Sequence, residues 1–314
     1  MTGVTETAPV LKDSDPRYRT FHDQLAEAGV LVDSTVKGLY GKGRAFVETF
    51  DGLERYVTRA GEDKAPELLR FPPMLPREHF INTDYLRSFP DLIGSVHSFM
   101  GGDKDHAELL RRLEAGEDWS KSLDQTQLVL LPAACYPLYP MSTGQLPDGG
   151  RTFDVLGTCF RHEGSDDPAR MMVFHQHEFV HIGTPDSALT HRDMWVDRSL
   201  ELMGALGLRV EAVVANDPFF GRAGRMLAVN QRQSELKYEI VATVANEDKP
   251  TAIVSCNCHQ DHLTVPFDIS SADGERAHSA CVGFGMERIV LALFAAHGTD
   301  IGAWPADVRD RLWP

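Results

Sequence analysis

The segment His177-Glu178-Phe179-Val180-His181 carries three side chains that could bind or activate a ligand at a metal ion. Its HExxH spacing suits a zinc peptidase only on a helix, because a helix places both histidines on one face with the glutamate beside the metal. The flanking residues are β-branched or aromatic, which favours a strand. In a strand Glu178 faces away from both histidines and cannot act as their general base. A zinc peptidase is therefore the less favoured alternative.

Two other segments place arginines where the chain turns. GTCFRHEGSDDPARMMVFHQHEF has the pattern of a strand, a polar loop and a returning strand. Arg161 and Glu163 end the first of these strands, and Arg170 begins the second. GFGMER leads from a strand into a helix, with Arg288 in the first turn of that helix. A third set, Cys135 and Cys281 together with the glutamate of the HExxH segment, lies in or beside predicted strands.

These segments resemble the catalytic domain of class II aminoacyl-tRNA synthetases, and within that class seryl-tRNA synthetase. FRHE, its loop and the returning VFHQHEF are similar to motif 2 of the class, and GFGMERIVLAL is similar to motif 3. PPMLPRE is similar to the degenerate motif 1. The resemblance covers about residues 70 to 298, in the order that the class requires.

The closer resemblance is to methanogenic-type seryl-tRNA synthetases and to their truncated bacterial homologues, the amino acid:carrier-protein ligases. Both hold a catalytic zinc ion with Cys, Glu and Cys. The matching segments PAACYPLYP, FHQHEF and HSACVGFG would supply Cys135, Glu178 and Cys281. About 70 residues precede motif 1, without a long heptad pattern, so we expect no tRNA-binding extension. The resemblance therefore implies a carrier-protein ligase, and tRNA charging is the alternative.

Such a ligase uses ATP to form an aminoacyl-adenylate and passes the amino acid to the phosphopantetheine thiol of a carrier protein. The resemblance implies that Arg161 contacts the α-phosphate and the substrate carboxylate, whose mutual repulsion a guanidinium can offset. Arg288 would hold the γ-phosphate and stack near the adenine. Glu163, Arg170 and Met171 would line the ATP site from the motif 2 loop. Mg²⁺ is expected because the charge of the triphosphate must be screened.

A zinc ion with three protein ligands keeps one position open, which is typical of a functional rather than a structural site. The resemblance implies that the substrate amino group takes that position beside Glu178. Zinc binds only the deprotonated amine, so the site would select an amino acid over a simple carboxylic acid. We expect a small substrate, glycine or alanine, and the sequence does not distinguish the two.

Several positions depart from the synthetase pattern or extend it. His177 stands where the synthetases have an aromatic residue that stacks on adenine, and we expect it to stack less well. Thr251 aligns with their acidic ATP-binding and metal-binding residue, which leaves the second metal contact on the ATP side open. Lys237 and Glu239, in the preceding strand, are candidate replacements. Asn257 matches an asparagine of the family and is expected to contact the substrate.

The elements that would position these residues are mostly strands. The pattern predicts strands over residues 124–131, 153–163, 171–182, 208–215, 236–244 and 251–257. It predicts helices over residues 18–28, 106–115, 187–206 and 218–232, while residues 45–56 fit either state. Consecutive strands at hairpin spacing predict an antiparallel sheet flanked by helices, an α+β fold. We expect residues 1–70 to form a segment packed on a catalytic domain of residues 71–314.

The composition excludes several classes of protein. The 314 residues include 46 acids and 31 bases, and the formal charge of -15 argues against a nucleic-acid partner, including tRNA. No apolar run approaches the roughly 20 residues of a membrane span, and the N-terminus lacks the pattern of a signal peptide. Five cysteines, an odd number, favour a reducing compartment, here the cytoplasm.

A carrier protein that is itself acidic would need a local basic surface on this acidic chain. Arg222, Arg225 and Arg232 lie on the predicted helix 218–232, and we expect this helix to dock the carrier. An ordinary solvated helix face is the alternative. Class II domains usually pair through motif 1, so we also expect a homodimer.

Overall fold

The computed structural model describes residues 15–215 and 235–314. The helices of these residues are α1 (Pro16–Glu27), α2 (Arg44–Gly61), α3 (Arg77–Asn82), α4 (Tyr85–Ser88), α5 (Asp103–Glu114), α6 (Leu138–Met141), α7 (Pro185–Ala205), α8 (Met286–His297) and α9 (Ala306–Leu312). The strands are β1 (Leu31–Val32), β2 (Gly41–Lys42), β3 (Glu67–Arg70), β4 (Met74–Pro76), β5 (Ser95–Ser98), β6 (Asp124–Leu130), β7 (Gly144–Gln145), β8 (Arg151–Phe160), β9 (Val173–Gly183), β10 (Val210–Val214), β11 (Lys237–Ala242), β12 (Thr251–Gln260), β13 (Ile269–Ser270) and β14 (His278–Gly285). The predicted helix 218–232, with Arg222, Arg225 and Arg232, lies outside the described residues.

A seven-stranded sheet carries the fold, in the order β10-β11-β12-β14-β9-β8-β3. Every neighbouring pair is antiparallel except β3 and β8, which run parallel. Helices α2, α7 and α8 share one hydrophobic core with one face of this sheet. Trp195 of α7 stacks on Phe179 of β9 on that face, with 4.6 Å between ring centroids. The predicted α+β class is confirmed. The three helices cover one face of the sheet, and Glu178 and Cys281 lie on the opposite face.

The structure decides the two elements on which the sequence was ambiguous. Residues 45–56 are helical, because Phe46, Leu53 and Val57 recur at helical spacing and are all buried against the core. The HExxH segment lies in β9, which pairs with β8 from Arg151↔Ile182 to Phe160↔Val173. The strand prediction is therefore confirmed. The zinc-peptidase interpretation requires a helix at this segment, and the segment is not helical.

Strand β8 ends earlier than predicted. It stops at Phe160, so Arg161 and Glu163 lie in the loop of residues 161–172 rather than at the end of the strand. The loop turns back through contacts of its own: the Arg161 N–H donates to the carbonyl oxygen of Met172 at 2.9 Å. Arg170 also lies in this loop, because β9 begins only at Val173.

The N-terminal residues are closely joined to the rest of the described chain. Phe46 and Leu53 of α2 belong to the same core as Phe179 and Phe284, and β3 is a strand of the central sheet. The division at residue 70 stays a prediction. Among the described residues no helix has the length and apolar character that a membrane span requires.

Candidate active site

The sheet face opposite α2, α7 and α8 brings several of the predicted site residues together in rows. Residues that pair across antiparallel strands point to the same face. One row runs Lys237, Asn257, Cys281 and Val180 across β11, β12, β14 and β9. The next row, two residues along each strand, runs Glu239, Ser255, Gly283 and Glu178. Glu178 and Cys281 are therefore diagonal neighbours on one face.

Cys135 reaches these two residues from outside the sheet. It lies on the turn between β6 and α6 and is buried, with its thiol hydrogen-bonded to Cys281 and to Glu178. The turn is fixed to the sheet by the Ala134 N–H, which donates to Gln176 Oε1 of β9 at 3.2 Å. Gly157 permits this approach, since a Cβ there would lie 2.8 Å from the Cβ of Ala134. The three residues from distant segments thus meet in one buried cluster.

Three acidic groups in a buried site perturb one another. Burial, and then the charge of Cys281, raise the pKa of Glu178 to about 8. The hydrogen bond to Cys281 and burial raise the pKa of the Cys135 thiol well above its usual range. The same hydrogen bond lowers the pKa of the Cys281 thiol. Glu178 Oε2 is buried and has no hydrogen-bond partner in the part of the chain that the structure describes. This cluster lacks a positive charge of its own.

The donor chemistry of this cluster suits a soft divalent cation, because two sulfurs and a carboxylate are ligands that zinc accepts. The side chains are turned toward one another, however. Within the two described stretches, no group of three or more His, Cys, Asp or Glu side chains is arranged so that it could hold a metal ion. The donor types therefore fit zinc, although the three side chains as they stand do not form a metal site.

Polar groups of β12 and β14 surround the Cys281 sulfur. Asn257 Nδ2 lies 3.6 Å and His259 Nε2 3.5 Å from Cys281 Sγ. The other ring nitrogen of His259 lies 3.1 Å from the Ser279 hydroxyl and 3.3 Å from the hydroxyl of Tyr139. This network, which the sequence did not reveal, orients the sulfur within the site. The predicted contact of Asn257 with substrate stays a prediction.

Two guanidinium groups lie at the loop of residues 161–172. Arg161 Nε donates to the carbonyl oxygen of Pro132 at 3.1 Å. Arg288, near the start of α8, donates to the carbonyl oxygens of Ala169 at 3.0 Å and Ala252 at 3.1 Å. Among residues 15–215 and 235–314, neither arginine has a carboxylate within 4.0 Å. Burial lowers the pKa of Arg288, and the positive charges of Arg170 and Arg161 lower it further. The negative charge of Glu163 partly offsets this decrease. Unneutralised positive charge of this kind suits a polyanion.

The motif 2 loop supplies the remaining residues predicted for ATP. Arg170 Nη1 lies 3.5 Å from Glu163 Oε2, so the two form an ion pair near Arg288. Met171 is buried in the main hydrophobic core. Its predicted place in the ATP site stays a prediction.

Lys237 and Glu239 lie on the site face of the sheet, whereas Thr251 pairs with Ala242, which belongs to the helix-side core. Lys237 is buried, pairs with Glu239 at 3.2 Å and lies in the row of Asn257 and Cys281. Thr251 begins β12, next to Ala252, whose carbonyl binds Arg288. Thr251 is therefore near Arg288, and the other two are nearer Cys281. Their predicted roles in ATP binding stay predictions.

The expectation that His177 stands in the adenine-stacking position is wrong. His177 is fully buried on the opposite face of the sheet, where Nε2 lies 2.9 Å from Asp154 Oδ1. The aromatic residue on the site face is Phe174, four residues before Glu178 and therefore on the same side of β9. The Arg161 guanidinium carbon lies 5.3 Å from the centroid of the Phe174 ring. Strand alternation was the signal that could have identified Phe174.

Known proteins were compared with the chain and with its fold. No protein-family model matches. Amino acid–acyl-carrier-protein ligase 1 of Bradyrhizobium diazoefficiens is 42% identical over 306 residues, which are 97% of this chain and 93% of that protein. Ligase 2 of the same organism is 40% identical over 302 residues, 96% of this chain and 90% of that protein. The type-2 serine–tRNA ligase of Methanopyrus kandleri is 27% identical, and the match spans 98% of this chain and 64% of that protein.

Solved structures agree on the fold. The crystal structure of M. kandleri SerRS in complex with A. aeolicus tRNASec superimposes with a TM-score of 0.80 at 22% identity, over 93% of this chain and 60% of that one. Seryl-tRNA synthetase from Pyrococcus horikoshii, complexed with ATP, gives a TM-score of 0.66 at 19% identity. The match covers 88% of this chain and 58% of that one. The fold is therefore that of a class II aminoacyl-tRNA synthetase catalytic domain. With the identity to the two Bradyrhizobium proteins over nearly their whole length, the chain belongs to the amino acid–acyl-carrier-protein ligase family.

Proposed function

We propose that this protein activates a small amino acid with ATP and transfers it to the phosphopantetheine thiol of an acyl carrier protein. The observation that carries the proposal is the 42% identity to a ligase of that name over 93% of its length. The residues support it, because two arginines have no carboxylate within 4.0 Å among the described residues, which suits a polyanion, and a buried cysteine–glutamate cluster lies on the same sheet.

In the first step, a carboxylate oxygen of the amino acid attacks the α-phosphorus of ATP and pyrophosphate leaves. Arg161 would lie between the two anions, and Arg288 would hold the terminal phosphates. Glu163 and Arg170 would approach the nucleotide from the motif 2 loop, and the half-buried ring of Phe174 would stack on the adenine. The support for these roles is the resemblance to motifs 2 and 3 and the absence of a carboxylate within 4.0 Å of Arg161 or Arg288 among the described residues.

We further propose that Cys135, Glu178 and Cys281 hold a zinc ion. The support is the chemistry of the donors, two thiols and one carboxyl group that are buried together and perturb one another's pKa values. When bound, zinc supplies a Lewis acid that accepts a neutral amino group. Gly283 adds room next to Glu178, since a Cβ there would lie 3.6 Å from the Glu178 Cγ. A small substrate, glycine or alanine, suits this space.

Mg²⁺ would accompany ATP and screen the triphosphate charge. Glu239 is a candidate ligand, although its ion pair with Lys237 reduces the charge that it can offer to the metal. Lys237 would then contact the substrate or the nucleotide as a cation.

In the second step, the thiol sulfur attacks the carbonyl carbon of the adenylate. A thioester forms, AMP leaves, and the thiol proton is released. The carrier is proposed to be small and acidic, with Arg222, Arg225 and Arg232 as its docking residues. The support for this surface is the sequence pattern alone.

We also propose a homodimer in a reducing, cytoplasmic compartment. Leu68 is exposed on β3 at the edge of the central sheet, and Met74 and Leu128 are exposed on β4 and β6 of a separate three-stranded sheet, so apolar side chains are available for contact with a second copy. All five cysteines are free thiols, as a reducing compartment would keep them. Light scattering after size-exclusion chromatography tests the dimer.

Amino-acid-dependent exchange between pyrophosphate and ATP tests the first step. Glycine and alanine should support exchange in the wild type, while larger amino acids and Arg161→Ala should not. Exchange with no amino acid, or none with any of the 20, would contradict the proposal. Total tRNA offered in place of the carrier distinguishes the alternative, tRNA charging, which the resemblance to serine–tRNA ligases keeps open.

A further inference from the structure

The N-terminal hairpin, residues 31–42 with β1 and β2, lies directly against the motif 2 loop, residues 161–172. The Met172 N–H donates to the carbonyl oxygen of Gly38 at 2.8 Å. Gly38 has a φ of +76°, and a Cβ on it would lie 2.7 Å from Gly164 Cα and 3.1 Å from the Arg170 carbonyl oxygen. A Cβ on Gly164 would lie 2.3 Å from the carbonyl oxygen of Lys37. The two backbones are therefore in contact at a crossing that requires glycine on both sides.

An ion pair fixes the same crossing from outside. Lys37 Nζ lies 2.6 Å from Asp166 Oδ1, and Arg19 of α1 reaches Asp166 Oδ2 at 4.0 Å. Asp166 is 24% exposed and Lys37 67% exposed, so the pair lies at the surface of the loop. The hairpin and α1 thus supply the positive charges that hold this carboxylate.

The other side of the loop carries the residues proposed for ATP. Glu163 and Arg170 pair at 3.5 Å, and the Arg170 N–H donates to the Asp167 carbonyl oxygen at 2.9 Å. Ala169 offers its carbonyl oxygen to Arg288 Nε at 3.0 Å. Gly38 thus lies against Gly164 and Met172, which are adjacent in sequence to Glu163 and Met171. It also lies against the carbonyl oxygen of Arg170.

We propose that Gly38 and Lys37 are positioning residues for ATP binding: the N-terminal hairpin holds the motif 2 loop in the conformation in which Glu163, Arg170 and Arg288 meet the nucleotide. A loop that is free must be ordered when the ligand binds, and that ordering weakens binding. The hairpin contacts order the loop beforehand. The inference rests on the proposed ATP-dependent activation.

The test compares two glycines of the same backbone type. Gly38→Ala introduces a Cβ at positive φ against the loop. Gly29→Ala introduces one at a φ of +66° with no heavy atom within 4 Å, so it controls for backbone strain. Gly38→Ala should raise the KM for ATP about tenfold relative to Gly29→Ala, which corresponds to about 1.4 kcal/mol. The KM for the amino acid and kcat should match those of the control. Equal KM values for ATP in the two variants, both folded, would overturn the proposal, and so would an equal loss in all three parameters.

A second pair keeps the test valid if Gly38→Ala does not fold. Lys37→Met should raise the KM for ATP about threefold, the size expected for a surface ion pair, and Lys37→Arg should restore it. Lys104→Met, in the exposed helix α5, is the matched control. A KM in Lys37→Met equal to that of Lys104→Met counts against the hairpin. Absence of exchange in the wild type would instead refute the proposed function.

Discussion

Gly283→Ala probes the space beside Glu178 with a single methyl group. The Cβ would lie 3.6 Å from Glu178 Cγ, 3.8 Å from Glu178 Cδ and 4.0 Å from the Ser255 carbonyl oxygen. All three are ordinary van der Waals contacts, and the φ of Gly283 is not in the left-handed region. The variant should therefore fold, with a stability equal to that of the wild type or higher by about 0.5–1 kcal/mol, since alanine orders more easily in a strand.

The same methyl group should impair substrate binding. It lies against the Glu178 carboxyl group, whose Oε2 is buried and has no hydrogen-bond partner among the described residues. If the substrate amino group approaches there, the methyl group displaces a hydrogen bond and leaves a buried polar group unpaired, at a cost of about 1–3 kcal/mol. That corresponds to a rise of about 5-fold to 150-fold in the KM for the amino acid.

Pyrophosphate exchange at varied amino acid and varied ATP measures the effect. The KM for the amino acid should rise while that for ATP stays unchanged, because Arg161 and Arg288 are untouched. Gly204→Ala, where a Cβ meets no heavy atom within 4 Å, is the control. An unchanged KM for the amino acid in folded Gly283→Ala would refute the placement of the substrate beside Glu178.

Three further predictions concern metal content, stability and pH. Cys135→Ser should lose about one bound zinc ion per chain, measured by atomic emission. The control Cys159→Ser, on β8 and outside the proposed ligand set, should keep the zinc ion. Zinc retained in Cys135→Ser would exclude Cys135 as a ligand. Glu287→Gln should lower the free energy of unfolding in urea by about 3 kcal/mol, because the buried carboxylate accepts two hydrogen bonds of 2.7 Å from His175 and also binds Lys42. An unchanged midpoint of urea unfolding would show that these contacts of Glu287 add no stability. Burial lowers the pKa of His191 to about 4, so the unfolded chain takes up its proton first, and stability falls as the pH drops from about 6.5 to 4, by at most about 3 kcal/mol. His191→Gln should show that much less pH dependence in urea unfolding, and an identical dependence would contradict the assignment.

The sequence predicted the sheet strands well because their signals are local. Alternation in β9 was sufficient to place Glu178 opposite His177 and His181, and hairpin spacing was sufficient to pair β8 with β9. Residues 45–56 were ambiguous because their apolar spacing fits either state until a partner surface is known. The burial of Phe46 and Leu53 against the sheet decides the helix.

The site was harder to predict where it depends on contacts between distant segments. The motifs suggested Cys135, Glu178 and Cys281, but no local pattern shows that the Cys135 turn reaches over β9. The crossing of Gly38 with Gly164 is equally invisible in the sequence, because it depends on the path of two backbones. His177 was placed wrongly from a motif alignment, although its own strand pattern put it on the other face.

Transfer to a carrier protein is the most direct test of the central claim. The protein should be incubated with ATP, Mg²⁺, glycine or alanine and a phosphopantetheinylated acyl carrier protein, and the intact mass of the carrier should be measured. The account predicts a mass increase of one aminoacyl group, which hydroxylamine removes and which is absent with Arg161→Ala or with the carrier lacking phosphopantetheine. An unmodified carrier, in a reaction where the same enzyme aminoacylates tRNA, would contradict it.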